Sequence, residues 1–151
     1  MKILLAIDGS EYSQAAVNQL AKMPFSPQTE VRIISVFDNS LLITSEGTPM
    51  GGWSRDLQQA DAIARKAAMG KAKEAAKLLK EKNPLLLLTT TVQVGSPKHA
   101  ILDEAEAFGA NLIVVGSHGH SGFSRFLLGS VSQSVAMHAH CSVMIVRKQD
   151  E

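Results

Sequence analysis

The chain of 151 residues is long enough for one domain with a substantial core, and its 45% hydrophobic and 19% charged residues exclude wholesale disorder. The 15 basic and 14 acidic side chains leave a formal net charge of +1, without the clear basic excess that binding to nucleic acid or a membrane usually needs. No apolar run approaches the ~20 residues of a membrane span, and the apolar N-terminal run is too short for a signal peptide. We therefore expect a cytoplasmic protein, and the single cysteine, Cys141, fits a reducing compartment.

The first part of the chain is predicted to form a strand, a helix and a second strand. An apolar strand is predicted over Lys2–Ile7, and it stops at the turn-forming segment 8–10. Ser10 or Ser13 can cap the helix that follows, in which apolar side chains recur with a period of 3.6 residues. A second apolar strand is predicted over Glu30–Phe37.

A long irregular segment separates the second strand from a long helix. Residues 38–52 contain Gly47 and Pro49, and fifteen residues is long for a connection without structure, so we expect a mobile or functional loop there. The helix predicted over 53–82 carries an apolar stripe that Gly70 interrupts. Its eight basic side chains against four acidic ones make it locally positive, which we interpret as a solvated outer face.

The rest of the chain continues the alternation of strands and helices. Ser96 is predicted to cap a helix over Pro97–Phe108, which ends at a turn at Gly109. Further strands are predicted over 86–94, 111–115 and Ser142–Val146, with a helix over 128–138 before the last of them. This order predicts an α/β domain over residues 1–151, built on a doubly wound five-stranded parallel sheet with helices on both faces.

The strongest functional signal follows the fourth strand, from Gly116 to Ser130. Ligands of an open parallel sheet bind outside the carboxyl ends of the strands, where the winding direction reverses. The glycines here let the backbone adopt positive φ and approach a ligand closely, and successive N–H groups can form an anion nest. Gly129 and Ser130 lie near the start of the last long helix, where free N–H groups favour a phosphate. The segment therefore predicts a phosphate cradle, with Arg125 as its candidate cation.

Other motifs of nucleotide-binding proteins and hydrolases are missing from the sequence. There is no G-x-x-x-x-G-K-[ST], no G-x-G-x-x-G and no G-x-S-x-G. The histidine pairs 118/120 and 138/140 have no carboxylate or second cysteine at metal-site spacing, so we interpret them as loop or surface histidines and predict no metal ligand among them. Cys141 is interpreted as a small buried hydrophobic residue.

The spacing Gly116-x2-Gly119-x9-Gly129-Ser130 resembles the nucleotide-binding signature of the universal stress protein family, specifically its ATP-binding branch. The resemblance extends to residues 8–10 after the first strand, 95–97 after the third and 141–143 at the start of the last. It implies a sheet order of 3-2-1-4-5, with the switch point between strands one and four. It also implies a homodimer in which the last strands, Ser142–Val146, pair at the edges of the two sheets.

The resemblance implies in addition which residues surround the nucleotide. It places Asp8 near the adenosine, Ala6 and Val36 at the base, and Val115 and Gly116 beside the ribose. The residues implied around the phosphates are Ser117, His118, Gly119, His120, Ser121, Gly122, Gly129, Ser130, Val131 and Ser132. Mg or Mn is expected with the phosphates because hard cations bind phosphate oxygens. ATP, ADP and AMP all stay open as the resident nucleotide.

Three functions stay open on the sequence. The first is a regulatory module in which ATP orders residues 116–122, with 38–52 as a second candidate segment. The second is a slow ATPase, for which His118, His120 and Asp8 are the candidates to orient a water. The third is an interaction protein that needs no nucleotide. We predict no catalytic residue and favour the regulatory module, because no general base is apparent beside the phosphate loop. Asp8 itself can also be a turn residue that caps the first helix.

Overall fold

A computed structural model describes residues 1–38, 55–120 and 127–148 of the chain. The strands in these ranges are β1 (Lys2–Ile7), β2 (Glu30–Phe37), β3 (Leu87–Val94), β4 (Leu112–Gly116) and β5 (Ser142–Val146). The helices are α1 (Glu11–Ala21), α2 (Arg55–Lys82), α3 (Pro97–Phe108) and α4 (Ser130–His138). Strands β3 and β4 each begin one residue later than predicted, and β4 extends through Gly116. Apart from Asp38, the predicted loop over 38–52 lies outside the described residues.

The five strands form one parallel sheet in the order β3-β2-β1-β4-β5. The predicted order and the doubly wound α/β class are therefore confirmed. Because β1 pairs with both β2 and β4, the winding direction reverses at β1. The carboxyl ends of β1 and β4 consequently flank the crevice in which such sheets bind ligands.

Strand β1 is apolar from Ile3 to Ile7 because both of its faces are buried there. Ile3, Leu5 and Ile7 pack with α1 and α2 on one face of the sheet. Leu4 and Ala6 point to the other face and pack with α3 and α4. This alternation follows from the two-residue period of a strand, and continuous apolar runs are typical of sheets covered on both sides.

The start of α1 immediately after β1 fixes the turn that carries Asp8. Ser10 is the N-cap residue, and its side chain accepts a hydrogen bond from the backbone N–H of Ser13 at 3.2 Å. The Ser13 hydroxyl donates to the Ser10 carbonyl at 3.0 Å and accepts from the Gly9 N–H at 3.1 Å. The bond from the Ser13 N–H satisfies one of the N–H groups that a helix start leaves unpaired, so the prediction of a serine cap at Ser10 is confirmed.

Two other elements bear on the crevice. Helix α3 begins with Pro97 as predicted, although the Ser96 side chain makes no capping hydrogen bond, and it ends at Gly109 with a φ of 68°. Helix α2 covers the sheet with Ala72 and Leu79, which are both fully buried.

None of the helices in the described ranges is long and apolar enough to cross a membrane.

Candidate functional site

A cavity of about 310 Å³ opens at the carboxyl ends of β1 and β4, within the size range of small-molecule sites. Its lining falls into two groups of residues. The apolar group consists of Ala6, Ile7, Ile34, Val36, Pro97, Ile101, Val115 and Val131. The polar and glycine group consists of Asp8, Gly116, His118, Gly119, Gly129, Ser130 and Ser132. An apolar wall and a polar, glycine-rich wall thus share one crevice at the switch point.

Most of the residues predicted for the site line this cavity. They are Ala6, Asp8, Val36, Val115, Gly116, His118, Gly119, Gly129, Ser130, Val131 and Ser132. Ser117 is buried behind the lining, and His120 is exposed beside it. Ser121 and Gly122 lie outside the described residues. Contact of any of these residues with a nucleotide stays a prediction.

Sequence reasoning missed four lining residues, namely Ile7, Ile34, Pro97 and Ile101. A signal for two of them was present. Ile34 shares a strand face with Val36 because side chains two apart point the same way. Ile101 follows Pro97 by four residues and therefore lies on the same face of α3.

The carbonyl of Ser117 joins the end of β4 to the start of α4. It accepts from the Gly129 N–H and from the Ser132 hydroxyl, each at 2.8 Å. The Ser132 hydroxyl is also 2.9 Å from the Gly129 carbonyl. The Ser132 hydroxyl donates its proton within the protein. It therefore holds the N-terminus of α4 at the cavity and is not a free hydrogen-bond donor to a ligand.

His118 closes the base of the loop that follows β4. Its Nδ1 is 3.0 Å from the Ser117 hydroxyl, its Nε2 bonds the Leu127 carbonyl, and its ring centroid lies 5.0 Å from that of Tyr12. A carbonyl can only accept, so in the neutral ring Nε2 carries the proton and Nδ1 accepts from the hydroxyl. Both ring nitrogens are thus engaged within the protein, and the imidazole braces the loop.

The glycines of the phosphate cradle allow other parts of the protein to approach the backbone closely. Of the described glycines, those with positive φ are Gly9, Gly95 and Gly109, so the prediction of positive φ is wrong for Gly116 and Gly119. A Cβ on Gly116 would lie 2.7 Å from the Tyr12 carbonyl carbon, and one on Gly119 would lie 2.8 Å from Oδ2 of Asp8. Gly116 therefore lets the backbone of α1 approach β4, and Gly119 leaves space for the carboxylate.

Asp8 is the carboxylate of the cavity wall. Burial by itself would raise its pKa, but hydrogen bonds from Ser10 and Ser13 and the nearby His120 outweigh burial, so the pKa lies below the ordinary value of 3.8. The Ser10 N–H donates to Oδ1 at 2.8 Å. Asp8 is thus an anion at neutral pH, and the turn role and the site role considered for it coexist.

Protonation of Asp8 is expected to lower stability in acid. Because the folded pKa is depressed, the carboxylate contributes stability that is fully present above its unfolded pKa of about 3.9 and is lost as the pH falls through the folded pKa. The free energy of unfolding of the wild type, minus that of Asp8→Asn, should therefore shrink as the pH falls below about 4. Urea unfolding of both proteins at about pH 6, 4 and 3 measures this difference. A difference that stays constant over this range would contradict the depressed pKa.

A cation that sequence reasoning did not assign to the site lies at the end of β1. Nζ of Lys71, on α2, donates to the Asp8 carbonyl at 3.0 Å, and Nε2 of His120 lies 2.9 Å from the same oxygen. The interpretation of the lysines of this helix as a solvated face is therefore incomplete for Lys71. Arg125, the cation considered earlier, lies outside the described residues.

In the described ranges, the site included, no group of three or more His, Cys, Asp or Glu that could hold a metal ion is found. Nδ1 of His138 is 2.9 Å from the Ser134 carbonyl of its own helix. Cys141 is half-buried and packs against the apolar cluster under α3 and α4. Burial raises the pKa of its thiol, which disfavours the reactive thiolate.

A model of the universal stress protein family matches residues 1–147. The chain belongs to this family. Universal stress protein YxiE of Bacillus subtilis is 33% identical to it over 147 residues, which cover 97% of this chain and 98% of that protein. Nearly the whole length of this universal stress protein therefore has a counterpart in a relative.

Solved structures share the fold of the chain. The protein MJ0577 superposes with a TM-score of 0.83 at 24% identity, over 99% of this chain and 97% of that one. A universal stress protein in complex with cAMP gives 0.69 at 22% identity, over 97% and 96%. A family member from Arabidopsis thaliana with AMP bound gives 0.66 at 16% identity, over 99% and 92%. The same fold thus holds adenine nucleotides in two other proteins.

Proposed function

We propose that this universal stress protein binds an adenine nucleotide, with ATP preferred, and acts as a nucleotide-dependent regulatory module in stress response. The observation that carries the proposal is the cavity at the switch point, where an apolar wall faces the start of α4 across one crevice. The proposal takes residues 1–151 as one cytoplasmic domain of the ATP-binding branch of the family.

The apolar wall suits the adenine ring. Ala6, Val36 and Val115 lie at the ends of three adjacent strands, and Ile34 and Ile101 extend the same surface. Burial of a flat aromatic base against such side chains contributes about 25 cal/mol per Å² of apolar surface removed from water. Ala6 and Ile34 are register partners in the paired strands β1 and β2, so the sheet itself forms this part of the wall.

The polar wall suits the phosphates. Helix α4 begins at Ser130 after Gly129, whose N-cap position provides no side-chain hydrogen bond. The first N–H groups of a helix have no partner inside it, and together with the helix dipole they favour an anion. Asp8 is the carboxylate beside this wall, and its oxygen is the type of ligand that Mg²⁺ or Mn²⁺ uses when it accompanies phosphates.

The nucleotides of the structural neighbours support the choice of adenine. One family member binds cAMP and another binds AMP, both with the fold of this chain. An adenine base and a ribose phosphate are common to those ligands and to ATP. The free helix N-terminus gives this chain a place for the additional phosphates that distinguish ATP from AMP.

Mass spectrometry of nucleotide released from freshly purified, heat-denatured protein tests the proposal, together with calorimetric titration of the emptied protein with ATP and Mg²⁺. We expect ATP at close to one per chain. ADP or AMP in its place would support slow hydrolysis, which kinetic assays with variants of Asp8, His118 and His120 then test. No released nucleotide and no heat of titration would contradict the proposal and favour a nucleotide-independent interaction protein.

We also propose that the protein is a homodimer in which two β5 strands meet. Strand β5 pairs with β4 at the end of the sheet and, within the described ranges, with no other strand. Val143 and Ile145 are half-buried beside this edge, and an open strand edge is a template for pairing with another chain. Light scattering at micromolar concentration should give twice the mass of the chain. The mass of one chain at that concentration would contradict the dimer.

A further inference from the structure

Lys71 reaches from α2 to the rim of the cavity. Its Nζ bonds the carbonyl of Asp8, which lines the cavity, and His120 bonds the same oxygen from the residue after Gly119, which also lines it. An ammonium group and an imidazole therefore converge beside the polar wall. None of the ion pairs between described residues involves Lys71.

The turn after β1 leaves space for the side chain of this lysine. A Cβ on Gly9 would lie 2.5 Å from Nζ of Lys71 and 2.6 Å from both Cδ and Cε. Gly9 also has a φ of +83°, a conformation that residues with a side chain rarely adopt. The glycine thus leaves a path along which the lysine stem crosses the end of β1 toward the polar wall.

We propose that Lys71 is a specificity-determining residue that makes the site favour adenine nucleotides with longer phosphate chains. This inference rests on the proposed adenine nucleotide site. In the free protein Nζ donates to a neutral carbonyl, and with nucleotide bound it turns to the distal phosphate. Hydrogen bonds between ionised partners are stronger than those to a neutral acceptor, and a lysine ammonium is a common point-charge partner of phosphate. The exchange of partner therefore favours ligands whose charge extends to the end of β1.

The exposure of Lys71 determines how strongly its ammonium group is expected to attract a phosphate. Water weakens the attraction between exposed charges. For an ammonium and a phosphate a few ångströms apart in a partly solvated site, we expect removal of the Lys71 charge to weaken ATP binding by about 10-fold. Binding of ADP should weaken less, and binding of AMP should change by less than about 2-fold. Added salt should reduce the effect on ATP, since ions screen exposed charges.

Calorimetric titration of full-length Lys71→Gln with ATP, ADP and AMP tests the inference. Lys73→Gln is the matched control, because it removes the same charge from an exposed position two residues away on α2. Lys71→Met keeps the aliphatic stem over Gly9 without the charge, and Lys71→Arg keeps the charge. We expect Lys71→Gln and Lys71→Met to lose affinity in the order ATP, ADP, AMP, and Lys71→Arg and Lys73→Gln to retain the affinities of the wild type.

Two outcomes would overturn the inference. Equal losses for ATP, ADP and AMP, or losses equal to those of Lys73→Gln, would show that Lys71 only ties α2 to β1 or contributes to the general field. These outcomes leave the proposed function intact, because the wild type still binds nucleotide. A wild-type protein that binds none of the three would overturn the proposed function, and this inference with it.

Discussion

Replacement of Ser130 with glutamate is expected to weaken ATP binding by about 100-fold or more while the fold stays intact. Ser130 is the first residue of α4, is exposed and lines the cavity. A carboxylate there would stand beside the proposed phosphate position, and two like charges about 4 Å apart near a protein surface repel by a few kcal/mol. A loss of about 2.8 kcal/mol corresponds to a 100-fold change in Kd.

The same substitution is favourable for the helix, which separates binding from folding. An acidic side chain in the first turn of a helix contributes about 0.3–1 kcal/mol of stability through the helix dipole. Ser130→Glu should therefore melt at or slightly above the temperature of the wild type. The loss of ATP affinity, measured by calorimetry, then cannot be attributed to unfolding.

Gln133→Glu is the matched control for Ser130→Glu. Gln133 is exposed, lies three residues further along α4 and does not line the cavity. It acquires the same charge, so long-range repulsion is similar, and we expect its ATP affinity to fall by less than about 5-fold. Equal affinities for the wild type and Ser130→Glu would contradict a phosphate position at the start of α4.

Replacement of Gly116 with alanine is expected to destabilise the protein by about 3 kcal/mol, whether or not nucleotide is present. The new Cβ would lie 2.7 Å from the carbonyl carbon and 2.8 Å from the carbonyl oxygen of Tyr12, and 3.0 Å from the Ser13 nitrogen. These are backbone atoms of α1, so no side-chain rotation can make room. Overpacking of a tight core typically costs about 1–3 kcal/mol, and a clash with helix backbone belongs at the upper end.

Gly70→Ala makes the same chemical change as Gly116→Ala but is expected to stabilise the protein. Gly70 lies inside α2, and apart from its chain neighbours and the nearby backbone of its own helix, a Cβ there would meet no described atom within 4 Å. Alanine favours a helix interior over glycine by about 0.5–1 kcal/mol, so this variant should be more stable than the wild type. Urea unfolding measures both variants. A Gly116→Ala protein within about 0.5 kcal/mol of the wild type would contradict the close approach of α1 to β4.

The order and type of the elements could be predicted because the sequence pattern records burial on both faces of the sheet. Strand β1 is apolar at every position from Ile3 to Ile7. Its odd-numbered side chains are buried on one face of the sheet and its even-numbered side chains on the other. The signature glycines marked the end of β4, and the resemblance to the universal stress protein family implied a switch point between β1 and β4. Eleven of the predicted site residues line the cavity there.

The rest of the site depends on contacts that span the chain. Gly116 avoids the backbone of Tyr12, which is about a hundred residues earlier, and one sequence cannot distinguish such close approach from a need for positive φ. Nζ of Lys71, on α2, donates to the carbonyl of Asp8, and no local sequence pattern distinguishes this lysine from the others of α2. The expected loop over 38–52, together with Ser121 and Gly122, has no structural outcome, because apart from Asp38 these residues lie outside the described ranges.

The central claim, an adenine nucleotide site in the crevice between β1 and β4, is tested most directly by a nuclear magnetic resonance titration of the isotope-labelled wild type with ATP and Mg²⁺. The account predicts amide shifts that saturate at one nucleotide per chain and concentrate on Ala6, Asp8, Val36, Gly116, Gly119 and Ser130. A second groove of about 140 Å³, lined by Phe25, Asn83 and Leu85 among others, serves as the internal reference and should not respond. Absence of shifts at saturating ATP, or shifts confined to that groove, would contradict the account.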